Sequence, residues 1–153
     1  MAGRMSYAPH AMGKHDRRAV EADVARLIHE YTWANDAQDW HKCASLYTED
    51  AVFRRPSGGD AIVGRQAILD GFLARPARSQ RHTIANILVD VQGPATASAK
   101  SVIVLYMGDV PEEGGLPVQD AKSPLIGTFT DRCVLTPDGW RFAERVGALD
   151  FRP

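Results

Sequence analysis

The pattern of apolar and polar positions predicts helices in the first half of the chain and strands in the second. From Asp16 to before Asp39, apolar residues recur every three or four positions, as on one buried helix face. These positions are Val20, Val24, Leu27, Ile28 and Tyr31. Asp16 is a plausible N-cap for this helix, and Asp39 for a shorter one over 40–46. A third helix is predicted over 65–74.

The remaining segments are rich in Val, Ile, Thr and aromatic residues, which indicates strands. The predicted strands cover residues 51–55, 61–63, 82–91, 96–107, 125–136 and 140–149. Pairing Thr136 with Trp140 sets two pairs of opposite charge across the last hairpin, Arg132 with Glu144 and Asp131 with Arg145. Helices followed by a run of antiparallel strands predict an α+β fold. The polar segment 108–123 is predicted to be a mobile loop.

Composition limits the classes of protein to consider. The chain has 153 residues, 44% hydrophobic positions and a formal net charge of −1, which suits one compact domain. Charges of both signs are mixed, so no nucleic-acid partner is expected. No apolar run reaches the roughly 18 residues of a membrane span. We therefore predict a flexible arm over 1–15 and a single domain over 16–153.

Two cysteines, Cys43 and Cys133, lie far apart in the chain without a CxxC partner. We interpret both as buried free thiols of a reducing compartment, which predicts a cytoplasmic protein. The histidines His10, His15, His29 and His41 are predicted at the surface. None of their spacings suits a metal ion, so no metal or other cofactor is expected.

The segment 31–51, YTWANDAQDWHKCASLYTEDA, and the QRHTIANI segment carry the candidate chemistry. An acid that orients an imidazole beside apolar surface can move protons on a buried small molecule. His82 is the candidate imidazole, unless a backbone carbonyl simply satisfies it. On an ideal helical wheel Asp36 lies about 120° from the centre of the apolar stripe, and Asp39 about 60°. We favour Asp36 as the acid that orients His82, on a helix that is covered on two sides, and we assign Asp39 to capping.

These motifs, together with GG-x-x-x-x-GRxAI at 58–68 and the closing GTFTDRCVLTPDGWRFAERV, resemble the SnoaL-like branch of the nuclear-transport-factor-2-like superfamily. The resemblance implies a cystatin-like cone, in which a strongly curved mixed sheet wraps around about three helices and encloses an apolar cavity. Family members include dehydratases, dehydrochlorinases, polyketide cyclases, isomerases and the non-catalytic small subunits of ring-hydroxylating dioxygenases.

The resemblance to scytalone dehydratase and the dehydrochlorinases implies that Asp36 and His82 form a catalytic pair. In those members the aspartate lies fourteen residues before an acid-Ala pair, as Asp36 lies before Asp50-Ala51. The dehydratase has tyrosines where this chain has Asn35 and Phe53, and a second histidine where it has Tyr106 and Met107. The resemblance also implies a homo-oligomer, either a dimer or a trimer.

Two functions remain open at this stage. The first is a cofactor-independent lyase or isomerase, in which His82 removes a proton from a small apolar molecule and Asp36 holds the imidazole. The second is a non-catalytic module that binds a ligand or assembles subunits. In either case Tyr31, Phe53, Asn86 and Tyr106 are the predicted binding residues. Asp131 and Arg145 are interpreted as a structural pair, with a role for Arg145 at the cavity mouth as the alternative.

Overall fold

The computed structural model describes residues 12–152, in three helices and six strands. The elements are α1 (Lys14–Asp36), α2 (Trp40–Ser45), β1 (Tyr47–Arg54), β2 (Ile62–Val63), α3 (Arg65–Leu73), β3 (Ser79–Gly93), β4 (Thr96–Gly108), β5 (Leu125–Thr136) and β6 (Gly139–Leu149). Most of the predicted arm over 1–15, with His10, lies outside the described residues. Its last two residues already belong to α1.

The two predicted N-caps have different outcomes. The N-cap of α1 is Gly13, and Asp16 lies in the first turn, where its Oδ2 accepts a hydrogen bond from the Gly13 amide at 3.3 Å. The prediction for Asp16 was therefore wrong by one helical turn, because the carboxylate reaches back to the cap instead of forming it. Asp39 does cap α2, since its Oδ1 accepts from the Lys42 amide at 3.0 Å.

The strands form one mixed sheet in the order β2-β1-β6-β5-β4-β3. Strands β1 and β6 are parallel and the other neighbours are antiparallel, which confirms the α+β prediction. Strand β1 begins at Tyr47, four residues earlier than predicted, because Tyr47 is fully buried and pairs with Phe142 of β6.

The last hairpin contains a bulge that the sequence did not predict. Asp131 pairs with Arg145 and Arg132 with Glu144, as expected from their charges. Nearer the turn the register shifts by one, so that Thr136 pairs with Gly139 instead of Trp140. The bulge lies directly after Arg132, and it absorbs the extra residue. The charge pairs therefore predicted the central register correctly and the turn incorrectly.

Strand β3 also has a bulge, between Ala85 and Leu88. Asn86 occupies it with φ 50°, in the left-handed region that asparagine tolerates better than most side chains. The two-residue alternation that begins at His82 and Ile84 is therefore broken at Asn86.

Helix α1 packs on the sheet, and aromatic rings fill the core between them. Tyr31, Tyr47, Phe72 and Phe142 contact one another with ring centroids 5.4–6.5 Å apart. Cys43 and Cys133 are buried and free, as predicted, and burial raises the pKa of each thiol to about 12. Beside this core, a cavity remains between α1 and the inner face of the sheet.

Candidate functional site

A cavity of about 340 Å³ lies between the C-terminal end of α1 and the inner face of the sheet. Its walls are mainly apolar, and its polar groups converge from α1, β3 and β6. The apolar lining comes from Phe53, Ile84, Ile103, Leu105, Met107, Leu125, Phe129 and Leu149, among others. A concave apolar site with few polar groups is the usual form of a small-molecule site.

His82 lines this cavity, and Asp36 lies behind it. Nδ1 of His82 is 2.6 Å from Oδ1 of Asp36, and the His82 amide donates to Oδ2 of the same carboxylate at 2.9 Å. The side chains are 14% and 4% exposed, respectively. Because Nδ1 is held by the carboxylate, the other ring nitrogen, Nε2, is left for a ligand.

The position of Asp36 is electrostatically unusual. It is the last residue of α1, where the helix dipole disfavours a negative charge. The amide and imidazole of His82 compensate, and the guanidinium of Arg81 lies 3.8 Å from Oδ2. Arg81 itself stacks on the exposed ring of Trp33.

Hydrogen bonds from amide side chains join the end of α1 to the start of β3. Nε2 of Gln80 donates to the backbone oxygen of Asn35 at 2.6 Å and to its Oδ1 at 2.8 Å. Nε2 of Gln38, at φ 55°, donates to the backbone oxygen of Arg78 at 2.7 Å. Since these bonds bracket Asp36 and His82, they fix the distance between the two elements that carry the pair.

A second charged pair lies under the cavity. Nη1 of Arg145 is 2.8 Å from Oδ2 of Asp131, and both side chains are fully buried. Nε and Nη2 of Arg145 have no hydrogen-bond partner among residues 12–152. The guanidinium stacks on Phe129 at 3.8 Å and on Tyr31 at 4.6 Å. Arg145 therefore carries two buried donors without a partner, in a guanidinium enclosed by aromatic rings at the cavity wall.

Burial controls the ionisation of this second pair. Desolvation raises the pKa of Asp131 from 3.8 to about 6, although the positive charge of Arg145 opposes the shift. Burial also raises the pKa of Tyr31, again against the charge of Arg145.

The predicted binding residues divide into two groups. Tyr31 and Phe53 line the cavity. Asn86 and Tyr106 do not line it, and both are exposed, Tyr106 to 41%. For Asn86 the bulge in β3 breaks the alternation that would turn its side chain to the same face as His82. For Tyr106 the alternation of β4 turns the neighbouring Met107 inward instead.

Several lining residues were not singled out as binding residues from the sequence. Asn35 is 5% exposed and lines the cavity. The others are Thr32, Gln38, Trp40, Arg55, Arg75, Arg78 and Gln80. Two of these arginines directly precede prolines, in Arg55-Pro56 and Arg75-Pro76, and proline ends regular structure, so the sequence does place both at element ends.

Two further properties concern the part of the chain that the structure describes. No helix within residues 12–152 is long and apolar enough to cross a membrane. The same residues contain no group of three side chains arranged to hold a metal ion. His15, His29 and His41 are exposed, as predicted.

Known folds resemble this one closely. A scytalone dehydratase-like protein from Novosphingobium aromaticivorans is 20% identical, covers 91% of this chain and 89% of its own, and has a TM-score of 0.76. An NTF2-like protein with a cystatin-like fold from the same organism is 21% identical, with coverages of 95% and 94% and a TM-score of 0.72.

A type 2 hexachlorocyclohexane dehydrochlorinase is 17% identical, with coverages of 91% and 90% and a TM-score of 0.72. At these identities the likenesses establish the fold. No curated protein sequence matches the chain significantly. The model of the SnoaL-like domain matches residues 16–146, most of the chain. This protein therefore belongs to the SnoaL-like family.

Proposed function

We propose that this protein is a cofactor-independent lyase or isomerase that acts on a small organic molecule in its cavity. The observation that carries the proposal is the 2.6 Å contact between Nδ1 of His82 and Oδ1 of Asp36, with His82 in the cavity wall. A neutral imidazole held in this way offers Nε2 as a general base at neutral pH.

The proposed reaction begins with transfer of a proton from a substrate carbon to Nε2 of His82. Asp36 keeps the other ring proton on Nδ1 and offsets the charge of the imidazolium as it forms. In an elimination, the C–H electron pair forms a double bond while the leaving group departs with its own bonding electrons, either as halide or as hydroxide, which takes the proton from Nε2 and leaves as water. In an isomerisation, the same proton returns to a different carbon. Neither route requires a metal or an organic cofactor.

Arg145 supplies the complementary charge in this proposal. Proton removal from carbon creates negative charge on a carbonyl oxygen or on a leaving group. The buried guanidinium of Arg145 lies at the wall of a cavity from which apolar side chains exclude water. Donors fixed in such a site stabilise developing charge more than they would in water.

Two relatives of similar fold support the reaction class by name, the scytalone dehydratase-like protein and the dehydrochlorinase. Both names refer to eliminations. The likeness of these two proteins to this chain is limited to the fold, so the proposal depends on the contact between Asp36 and His82.

The second candidate function is a binding module without chemistry. The observation that favours it is the apolar character of Phe53 and Met107 at the cavity wall, where a dehydratase needs groups that polarise a carbonyl. A binding module would hold the same ligand without consuming it, so turnover distinguishes the two.

The experiment is a screen for turnover of small cyclic ketones, hydroxy compounds and halo compounds by wild type, His82→Ala and His41→Ala. His41 is exposed on α2 and outside the cavity, so its variant is the matched control. We expect turnover by wild type and the control, and its loss in His82→Ala. Turnover that survives His82→Ala rules out the mechanism, and binding without turnover favours the second function.

We also propose that the protein is cytoplasmic and homo-oligomeric, as a dimer or trimer. Two free buried thiols suit a reducing compartment. Leu116 and Val118, 92% and 83% exposed, are apolar side chains that association would cover. Light scattering coupled to size-exclusion chromatography tests the oligomer, and a mass equal to one chain contradicts it.

A further inference from the structure

The charged side chains that line the cavity are all of one sign. Among residues 12–152, four arginines line it, and no aspartate or glutamate does. They are Arg55, Arg75, Arg78 and Arg145. An apolar cavity with only positive charges at its wall selects against cations and favours anions, because low-dielectric walls strengthen the field inside.

Two of the four arginines are neutralised by the protein itself. Arg78 lies 2.5 Å from Asp120 and 3.8 Å from Asp109, and Arg145 is paired with Asp131. For Arg55 and Arg75, no carboxylate among residues 12–152 lies within 4 Å. Their positive charges are therefore uncompensated.

Arg55 and Arg75 both line the cavity next to residues that mark its opening. The lining residues Gln38, Ser57 and Pro76 are exposed and mark the opening. Arg75 directly precedes Pro76, and Arg55 lies two residues before Ser57. Both are half-buried.

Both arginines also contact the same end of α3. Nη2 of Arg55 donates to the backbone oxygen of Gly71 at 3.2 Å, and the guanidinium of Arg75 stacks on Phe72 at 4.5 Å and on Trp40 at 5.3 Å. The two guanidinium groups thus have separate anchors on neighbouring residues of α3, Gly71 for Arg55 and Phe72 for Arg75.

A structural role for these charges accounts for part of the arrangement. Cations favour the C-terminal end of a helix, and Arg55 satisfies one carbonyl there. This structural role does not use all the hydrogen-bond donors of the two arginines. The buried Nε of Arg55 has no partner among the described residues, and Arg75 is held by ring stacking. A buried donor without a partner is costly unless a ligand completes it.

We propose that Arg55 and Arg75 form an anion-binding subsite at the mouth, and that the cavity takes an apolar organic molecule carrying one oxyanion group, such as a carboxylate. The proposal rests on the proposed function in taking this cavity as the substrate site. The oxyanion lies at the mouth, and the apolar body extends inward between Phe53 and Phe129 towards His82. The reacting carbon is thus separated from the charged group by the apolar body.

The test compares ligands of one shape and different charge. Isothermal titration calorimetry measures the affinity of wild type for 2-naphthoate, 2-naphthyl phosphate and the neutral 2-naphthamide. We expect at least one of the two anions to bind roughly tenfold more tightly than the amide, the effect of one charge-assisted hydrogen bond. The anion that binds more tightly identifies the class of head group.

Variants assign the preference to the two arginines. Arg55→Gln and Arg75→Gln are each expected to reduce anion affinity several-fold and to leave amide affinity unchanged, while Arg75→Lys retains most of the preference. Arg54→Gln is the matched control, because Arg54 is exposed on β1 and outside the cavity. Unchanged amide binding shows that each variant is folded.

Three outcomes overturn the proposal. They are equal affinity of wild type for anions and amide, a preference that survives both Gln variants, and no binding of any of the three ligands. His82→Ala separates this proposal from the proposed function. If that variant keeps the anion preference while wild type turns over no substrate, the subsite stands and the lyase or isomerase assignment fails.

Discussion

Nδ1 of His82 lies 2.6 Å from Oδ1 of Asp36, and the backbone amide of His82 donates to the same carboxylate at 2.9 Å. A single aspartate thus holds both the ring and the backbone of the residue that faces the cavity. Because Asp36 ends a helix whose dipole opposes its charge, the contact has an electrostatic cost that His82 and Arg81 offset. Such local costs are expected at functional positions.

Asp36→Asn is expected to reduce kcat by about 10² to 10⁴-fold, because the amide can hold the wrong imidazole tautomer and cannot offset the imidazolium charge. Asparagine keeps the size of the side chain, so KM should change little. The measurement is steady-state kinetics on any substrate that the screen identifies.

Asp39→Asn is the control for this prediction. Asp39 caps α2 from an exposed position, and asparagine is an equally good cap. Its variant should retain wild-type kinetics and stability. If both variants are equally active, Asp36 has no catalytic role.

Much of this arrangement could be predicted from the sequence because it depends on local periodicity. The apolar stripe of α1, the Asp39 cap and the paired charges of the last hairpin all follow from side-chain spacing along one element. The helical wheel gave a misleading preference for Asp39, because the helix ends at Asp36 and Gln38 has φ 55°. A wheel has no meaning beyond the end of its helix.

The parts that could not be predicted depend on bulges and on charges brought together from distant segments. One inserted residue in β3 turned Asn86 outward, and no spacing signal marks such an insertion. Likewise, Arg55 and Arg75 line one cavity only because the segments that follow β1 and α3 both border it. Tertiary proximity of this kind has no counterpart in a one-dimensional pattern.

Asn86 is expected to affect stability and not ligand binding. Asn86→Gly should change the free energy of unfolding by only a few tenths of a kcal/mol, whereas Asn86→Val should lower it by about 1–2 kcal/mol, because a β-branched residue is strained at φ 50°. Urea denaturation measures both. Thr83→Val, at an exposed extended position of β3, should be neutral. Weaker binding of 2-naphthoate by Asn86→Gly would show that Asn86 does contribute to ligand binding.

The stability contribution of Asp131 is expected to fall as pH rises. Burial raises the pKa of this carboxyl to about 6 in the folded protein, against 3.8 ordinarily. The folded state therefore binds this proton more tightly than the unfolded state does. The stability that the bound proton confers is complete below about pH 4 and lost above about pH 6. Relative to Asp131→Asn, which does not titrate, wild type should lose about 3 kcal/mol of unfolding free energy across this window.

Urea denaturation of both proteins at pH 4 and pH 7 measures this difference directly. The difference between wild type and Asp131→Asn cancels the other titrating groups that the two proteins share. A difference that grows in favour of wild type as pH rises would mean that the attraction of Arg145 outweighs burial.

Gly147 is expected to be required for the shape of the cavity. A Cβ at this position would lie 2.5 Å from Cγ of Pro56 and 2.8 Å from Cε1 of Phe129, two side chains that line the cavity. Gly147→Ala should therefore lower the unfolding free energy by about 1–3 kcal/mol through overpacking and weaken 2-naphthoate binding. Gly115→Ala, where the added Cβ makes ordinary contacts of 3.5 Å or more, is the control and should alter neither. If Gly147→Ala binds 2-naphthoate with wild-type affinity, Pro56 and Phe129 can move apart without loss of binding free energy, and Gly147 does not determine the shape of the cavity.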